Sequence, residues 1–283
     1  MLGLSLIVVA AITISAFFCE YVDSALGMGY GTIMSPLLLV FGFSPMQVVP
    51  AILLSELVTG LLAGFMHQSK GNVNFRPKTL SLSRMKTSLK DVGWQGSFKK
   101  GIPLHLKVAL LLVACSCLGA VLAVFIAKTI PRSWTQLYIG LIVIAMGLTI
   151  LICLNRNFKF SWFKIGTLGL IASFNKGLTG GGYGPIIVSG QILSGVEAKN
   201  AIGITSLAEG LTCVVGVATY FLTARDSVDW KLAPIIILGA VLSVPLAVKS
   251  VKIMNPRALK LLIAIFSLIL GTMAILKTLR SGL

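Results

Sequence analysis

Two glutamates sit inside long apolar runs of this chain, Glu56 in AILLSELVTG and Glu209 in ITSLAEGLTC. A carboxylate at such a position costs roughly 2.5–3.5 kcal/mol on membrane-insertion scales and faces a protein interior rather than lipid. It can load and release a proton there, because burial favours the neutral form. It can equally tie helices together as a protonated or paired group. Asp23 and Lys176 each lie four residues before a glycine cluster, GMGYG at 27–31 and GGGYG at 180–184. Lys176 is suited to receive an anion, with Asp23 as its ion-pair partner.

Each cluster interrupts an apolar run. Glycine weakens a helix interior by about 0.5–1 kcal/mol relative to alanine, so a helix is expected to break and a new one to start. The first N–H groups of a helix lack intrahelical partners, and the helix dipole adds partial positive charge. Free amides at Gly29 to Thr32 and at Gly182 to Gly184 therefore predict an anion site. Pro185 suits a first helical turn, where its missing donor is not needed. The expected substrate site comprises Gly27, Gly29, Tyr30 and Gly31 with Gly180, Gly181, Gly182, Tyr183 and Gly184, joined by Lys176. Gln47, Asn200, Ser55, Thr205 and Ser206 can add hydrogen bonds to an oxyanion. Asp23, Glu56 and Glu209 are expected to couple a proton or cation, or to form ion pairs.

No residue is assigned a catalytic role. His67 and His105 sit at segment ends and read as interfacial, without HExxH spacing, and no nucleotide-binding pattern is present. The five cysteines lack CxxC spacing and read as small packing residues. No metal or cofactor is expected.

The elements that must position these groups are membrane segments. The chain is 56% hydrophobic and only 11% charged over 283 residues, too few charges to cover a soluble protein of this size, in which about 25% are charged. Apolar segments run over 3–22, 29–43, 46–67, 104–127, 134–154, 162–179, 184–194, 198–222, 231–250 and 258–277, and runs of about 20 residues can span the hydrocarbon core. The expectation is an all-α polytopic membrane protein with 8–10 membrane segments. The first segment lacks a basic n-region and reads as a retained span. The net charge of +16 suits anionic headgroups at segment ends rather than nucleic acid. Much of it lies in a polar, basic insert over 68–103, expected to be cytoplasmic in a prokaryotic-type inner membrane. Within it TLSLSRMKTSLK can form a surface-lying amphipathic helix or a disordered loop.

Residues 27–67 match 180–220 at an offset of 153 with nine identities in 41 positions, including Gly42 with Gly195, Glu56 with Glu209 and Thr59 with Thr212. A two-residue slip then pairs GNVNF (71–75) with DSVDW (226–230). The chain thus reads as two copies of one unit, 1–155 and 156–283. Matched interruptions in two halves are the best sequence pointer to a transporter's binding site. If both arms around each break cross the membrane, the repeats are inverted; if each pair makes one crossing, eight passes and parallel repeats result. Inverted repeats are expected.

These residues resemble the sulfite exporter TauE/SafE family, on GMGYGTI, its repeat GGGYGPI, TSLAEG, and the exit patterns KGNVNF and DSVDW. The resemblance covers nearly the whole chain apart from the basic insert 76–100. It implies a secondary transporter, in the exporting direction, of small sulfur-containing anions such as sulfite or organosulfonates. Its partners would be that anion and the bilayer. Sulfur comes only from the resemblance. The rivals are an anion channel of the same architecture, an integral membrane enzyme, and a scaffold organised by the insert.

Overall fold

The computed structural model describes residues 6–43, 45–76, 102–126, 132–152, 154–155, 159–179, 183–223 and 232–280. Among them are ten helices and no strand. The first five are α1 (Leu6–Leu26), α2 (Tyr30–Val40), α3 (Pro45–Lys70), α4 (Leu104–Ile126) and α5 (Arg132–Ile152). The second five are α6 (Trp162–Thr179), α7 (Tyr183–Leu193), α8 (Ala198–Thr223), α9 (Leu232–Ile253) and α10 (Pro256–Arg280). The expected segments and these helices agree closely, apart from α1. Its apolar run stops at Val22, yet the helix continues to Leu26, with Glu20, Ser24 and Ala25 buried. The polar residues that end the run face inward.

Among the described residues, four segments are long and apolar enough to cross a membrane, Leu6–Leu26, Gln47–Lys70, Ala198–Ala218 and Leu232–Ile253. Their outward faces carry the same message. Leu238, Leu242 and Leu246, stacked at four-residue spacing on α9, are 61, 60 and 52% exposed, an apolar stripe that water would oppose and lipid accepts. The chain is an integral membrane protein. By contrast α2 and α7 have 11 residues each, about 16 Å at 1.5 Å per residue, roughly half the core. The arms expected to flank each break are therefore unequal in length.

The helix positions repeat at the offset of 153, with α2 and α7, and α3 and α8, starting and ending at matched residues. Gly42 and Gly195 close α2 and α7 with φ of 92° and 87°, the left-handed conformation in which glycine commonly ends a helix. Pro185 falls in the first turn of α7. Helix α1 packs along α9, α4 along α6, α3 along α8 and α5 along α10. Helices α3 and α8 meet through glycines: a Cβ at Gly60 would lie 2.9 Å from the Gly210 backbone, and one at Gly210 2.7 Å from the Leu61 nitrogen. Small residues permit such close helix approach in membranes.

Candidate functional site

Helix α1 delivers Glu20, Asp23 and Ser24 to the interior and then breaks at Gly27 and Gly29, whose φ values are 72° and 122°. The backbone carbonyl of Gly29 accepts from Ile33 N at 2.9 Å, so α2 begins at once. Its first amide is already taken: Tyr30 N donates to Asp23 Oδ1 at 3.1 Å. Asp23 is thus a helix cap supplied by the preceding helix, and the Tyr30 amide is not free for an anion as expected. Asp23→Ala should lower stability by about 0.5–2 kcal/mol, the usual cost of a lost cap, with Asp23→Asn retaining most of it. Thermal unfolding in detergent reads both.

Lys176, at the end of α6, is only 9% exposed. Its Nζ donates to Glu209 Oε1 at 2.6 Å and to Glu56 Oε2 at 3.1 Å. Its ion-pair partners are these two glutamates and not Asp23, so the expected Asp23–Lys176 pair is corrected. The physical reason is reach. Helices α3 and α8 present their matched glutamates together at the end of α6, while Asp23 points along the chain to the orphan amide of α2. Nζ also lies 5.2 Å from the centroid of the Tyr183 ring, within the range of a cation–π contact. Cys213 Sγ lies 3.5 Å from Glu56 Oε2.

Glu20 completes the cluster and was missed in the sequence, because it ends an apolar run and its offset partner is Ser173. The readable signal was its three-residue spacing from Asp23, which places both on one helix face. Glu20 Oε1 accepts from the Ser24 hydroxyl at 2.6 Å, and the Thr59 hydroxyl lies 3.0 Å from Glu20 Oε2. Glu20, Asp23, Glu56 and Glu209 line one cavity with Ser24, Thr59 and Ser206, and about 10 Å³ of it admits the centre of a water, room for roughly one molecule. Half of the chain's eight acidic residues therefore converge on one buried spot beside one lysine.

The remaining expected residues divide. Tyr30 and Tyr183 are fully buried, the first hydroxyl 2.8 Å from Ser55 Oγ and the second 3.3 Å from Ser116 Oγ. Thr205 accepts from Gln191 Nε2 at 2.8 Å, and Ser206 donates to the Ile202 carbonyl at 3.1 Å. Gln47 and Asn200 stand in the first turns of α3 and α8, nine residues and about 13 Å along the axis from each helix's glutamate, outside the cavity wall. Gly31 and Gly184 are buried. A Cβ at Gly184 would lie 2.5 Å from the Gly27 carbonyl oxygen and 2.7 Å from Met28 Cα, so α7 starts directly against the first glycine break. Gly180, Gly181 and Gly182 lie outside the described residues, as does most of the basic insert. His67, expected at an interface, is fully buried, and Ser24 O lies 3.0 Å from its Nε2.

The family described as Sulfite exporter TauE/SafE matches residues 12–83 and 92–274. The chain belongs to that family. The TauE/SafE match takes in both glycine breaks and every residue of the acidic cluster. Inside the insert only 84–91 is unmatched, a narrower departure than 76–100. "Probable membrane transporter protein YtnM" of Bacillus subtilis (strain 168) is 24% identical over 264 residues, 89% of this chain and 77% of its own length. No solved structure matches. Family and relative are both described as transport proteins, and this TauE/SafE chain is accordingly a membrane transporter.

Proposed function

We propose that this protein is a secondary transporter, exporting small sulfur-containing anions such as sulfite or organosulfonates, and not an enzyme. The observation that carries the reading is Lys176, buried and shared between Glu56 and Glu209 beside the meeting point of the first glycine break and α7. An arriving oxyanion competes with the two carboxylates for Nζ. A carboxylate that loses its lysine in a buried site takes up a proton rather than stay charged without a partner. Anion binding is then linked to protonation of Glu56 or Glu209, with Ser55, Thr205 and Ser206 as further candidates for anion contacts; Gln47 and Asn200 stand too far along their helices to reach the same anion. Apart from the Tyr30 amide, which Asp23 holds, the helix starts at 27–31 and 180–184 remain the proposed backbone contribution.

Alternating access between 1–155 and 156–283 fits this reading. Matched helix positions and the reciprocal packing of α1 on α9 and α6 on α4 are what a pseudo-twofold, inverted pair of repeats would produce. The small cavity suits an occluded state better than the open pore of an anion channel. We place the protein in a prokaryotic-type inner membrane with the 68–103 insert cytoplasmic.

The test is flux in proteoliposomes, preceded by a thermal-shift panel of sulfite, thiosulfate, sulfate, sulfoacetate, taurine and simple carboxylates. Stabilisation by sulfur oxyanions and saturable flux are expected. Glu56→Gln or Glu209→Gln should flatten the pH dependence of flux while leaving anion binding within about threefold, a change under 1 kcal/mol. Continuous conductance without saturation would make the protein a channel.

A further inference from the structure

We propose that the chain's two histidines form an acid-released latch that holds the loop 71–76 against the second half of the protein. His67 closes α3 and His105 opens α4, and both accept a hydrogen bond from that loop at Nδ1. Asn72 Nδ2 lies 3.0 Å from His67 Nδ1, and Asn74 N donates to His105 Nδ1 at 2.9 Å. Two carbonyls fix the proton positions. The Ser24 carbonyl, 3.0 Å from His67 Nε2, can only accept, so Nε2 carries the hydrogen and Nδ1 the lone pair. The Val248 carbonyl, 3.2 Å from Asn72 Nδ2, likewise fixes which end of that amide is the donor. His105 accepts a backbone N–H at Nδ1, so both imidazoles are read in their neutral form.

The loop they hold spans the two halves. Val73 is buried in the main core, and Gly203 of α8 lies so close that a Cβ there would stand 3.0 Å from Val73 and 3.1 Å from His67. Asn72 reaches the α9 backbone through Val248. Gln68 Oε1 accepts from Phe75 N. The end of α3, which carries Glu56, is thus pinned to α8, which carries Glu209.

An imidazolium has hydrogens on both nitrogens and cannot accept at Nδ1. Protonation sets donor against donor at both contacts, so the latch holds at neutral pH and opens as pH falls. The charged groups on the surrounding elements are these. Helix α1 carries Glu20, bonded to the Ser24 hydroxyl, and Asp23, which caps α2. Lys199 of α8 donates to the Lys252 carbonyl, while Lys249 and Lys252 of α9 and Lys70 of α3 are exposed. Glu197 directly precedes α8 on the His105 side, His105 shares its helix with Lys107, and Arg76 is the last residue of the loop.

The test is hydrogen exchange of the full chain in nanodiscs at pH 8 and pH 5, corrected for intrinsic rates. Peptides covering 71–76 should lose about tenfold in protection at pH 5, as for a local opening. In His67→Gln/His105→Asn the amides keep an acceptor and a donor but cannot take a proton, and protection should become independent of pH. Equal protection of the native loop at both pH values, or acid release that persists in the double variant, overturns the latch. Should the double variant not elute as a monodisperse species, His105→Asn alone decides: the Asn74 amide must lose its pH response, and its retention overturns the proposal.

Discussion

Lys176→Met should cost about 3–5 kcal/mol of stability, the range seen when one member of a buried ion pair is removed. The sequence alone suggests a milder outcome, in which methionine keeps the apolar stem and spares the fold. The structure argues otherwise, because Nζ sits 2.6 Å from Glu209 and 3.1 Å from Glu56. Without the lysine two carboxylates stand buried among Glu20 and Asp23 with no compensating charge. Rescue distinguishes this cause from lost packing. Lys176→Met/Glu56→Gln/Glu209→Gln removes the orphaned charges and should recover most of the thermal stability. Sulfite and sulfoacetate binding should stay weakened by roughly tenfold to a hundredfold, the worth of a charge-assisted hydrogen bond of about 1.5–3 kcal/mol. A triple variant that folds and binds normally would remove Lys176 from the anion site.

Gly184→Ala should be nearly as damaging, by about 3 kcal/mol, at the upper end of the usual cost of overpacking. The added methyl would meet the Gly27 carbonyl at 2.5 Å and Met28 Cα at 2.7 Å. Both are backbone atoms, so no rotamer change relieves the overlap. One break must shift against the other. Gly166→Ala on α6 is the matched control, since its Cβ would meet nothing within 4 Å. It should stabilise by about 0.5–1 kcal/mol, the ordinary gain of alanine over glycine in a helix. Thermal unfolding of the two variants side by side, with flux measured on any that fold, checks the contrast.

Much of this could be read from the chain. Hydropathy located the helices, because lipid demands long apolar runs and the glycine breaks interrupt them visibly. The duplicated glutamates were legible because a carboxylate inside an apolar run has few other reasons to be there. The failures share one cause, which is that side-chain reach is not written in linear spacing. Asp23 and Lys176 are sequence equivalents, and equivalence suggested a pair, yet each turned to the nearest unsatisfied partner on a different element. Glu20 looked like the polar end of a span, whereas the helix simply carries on to Leu26. His67 looked interfacial because it closes an apolar segment, but the loop 71–76 folds back over it.

The cluster's uneven make-up bears on how such a protein can be assembled. Glu20, Asp23 and Glu56 come from one half of the chain, Lys176 and Glu209 from the other. A first half paired with its own copy would gather six carboxylates and no lysine in one buried spot. A second half paired with its own copy would gather two lysines and two glutamates, a neutral set. Only the mixed pairing places a single ammonium among four acids, so this centre requires two dissimilar halves.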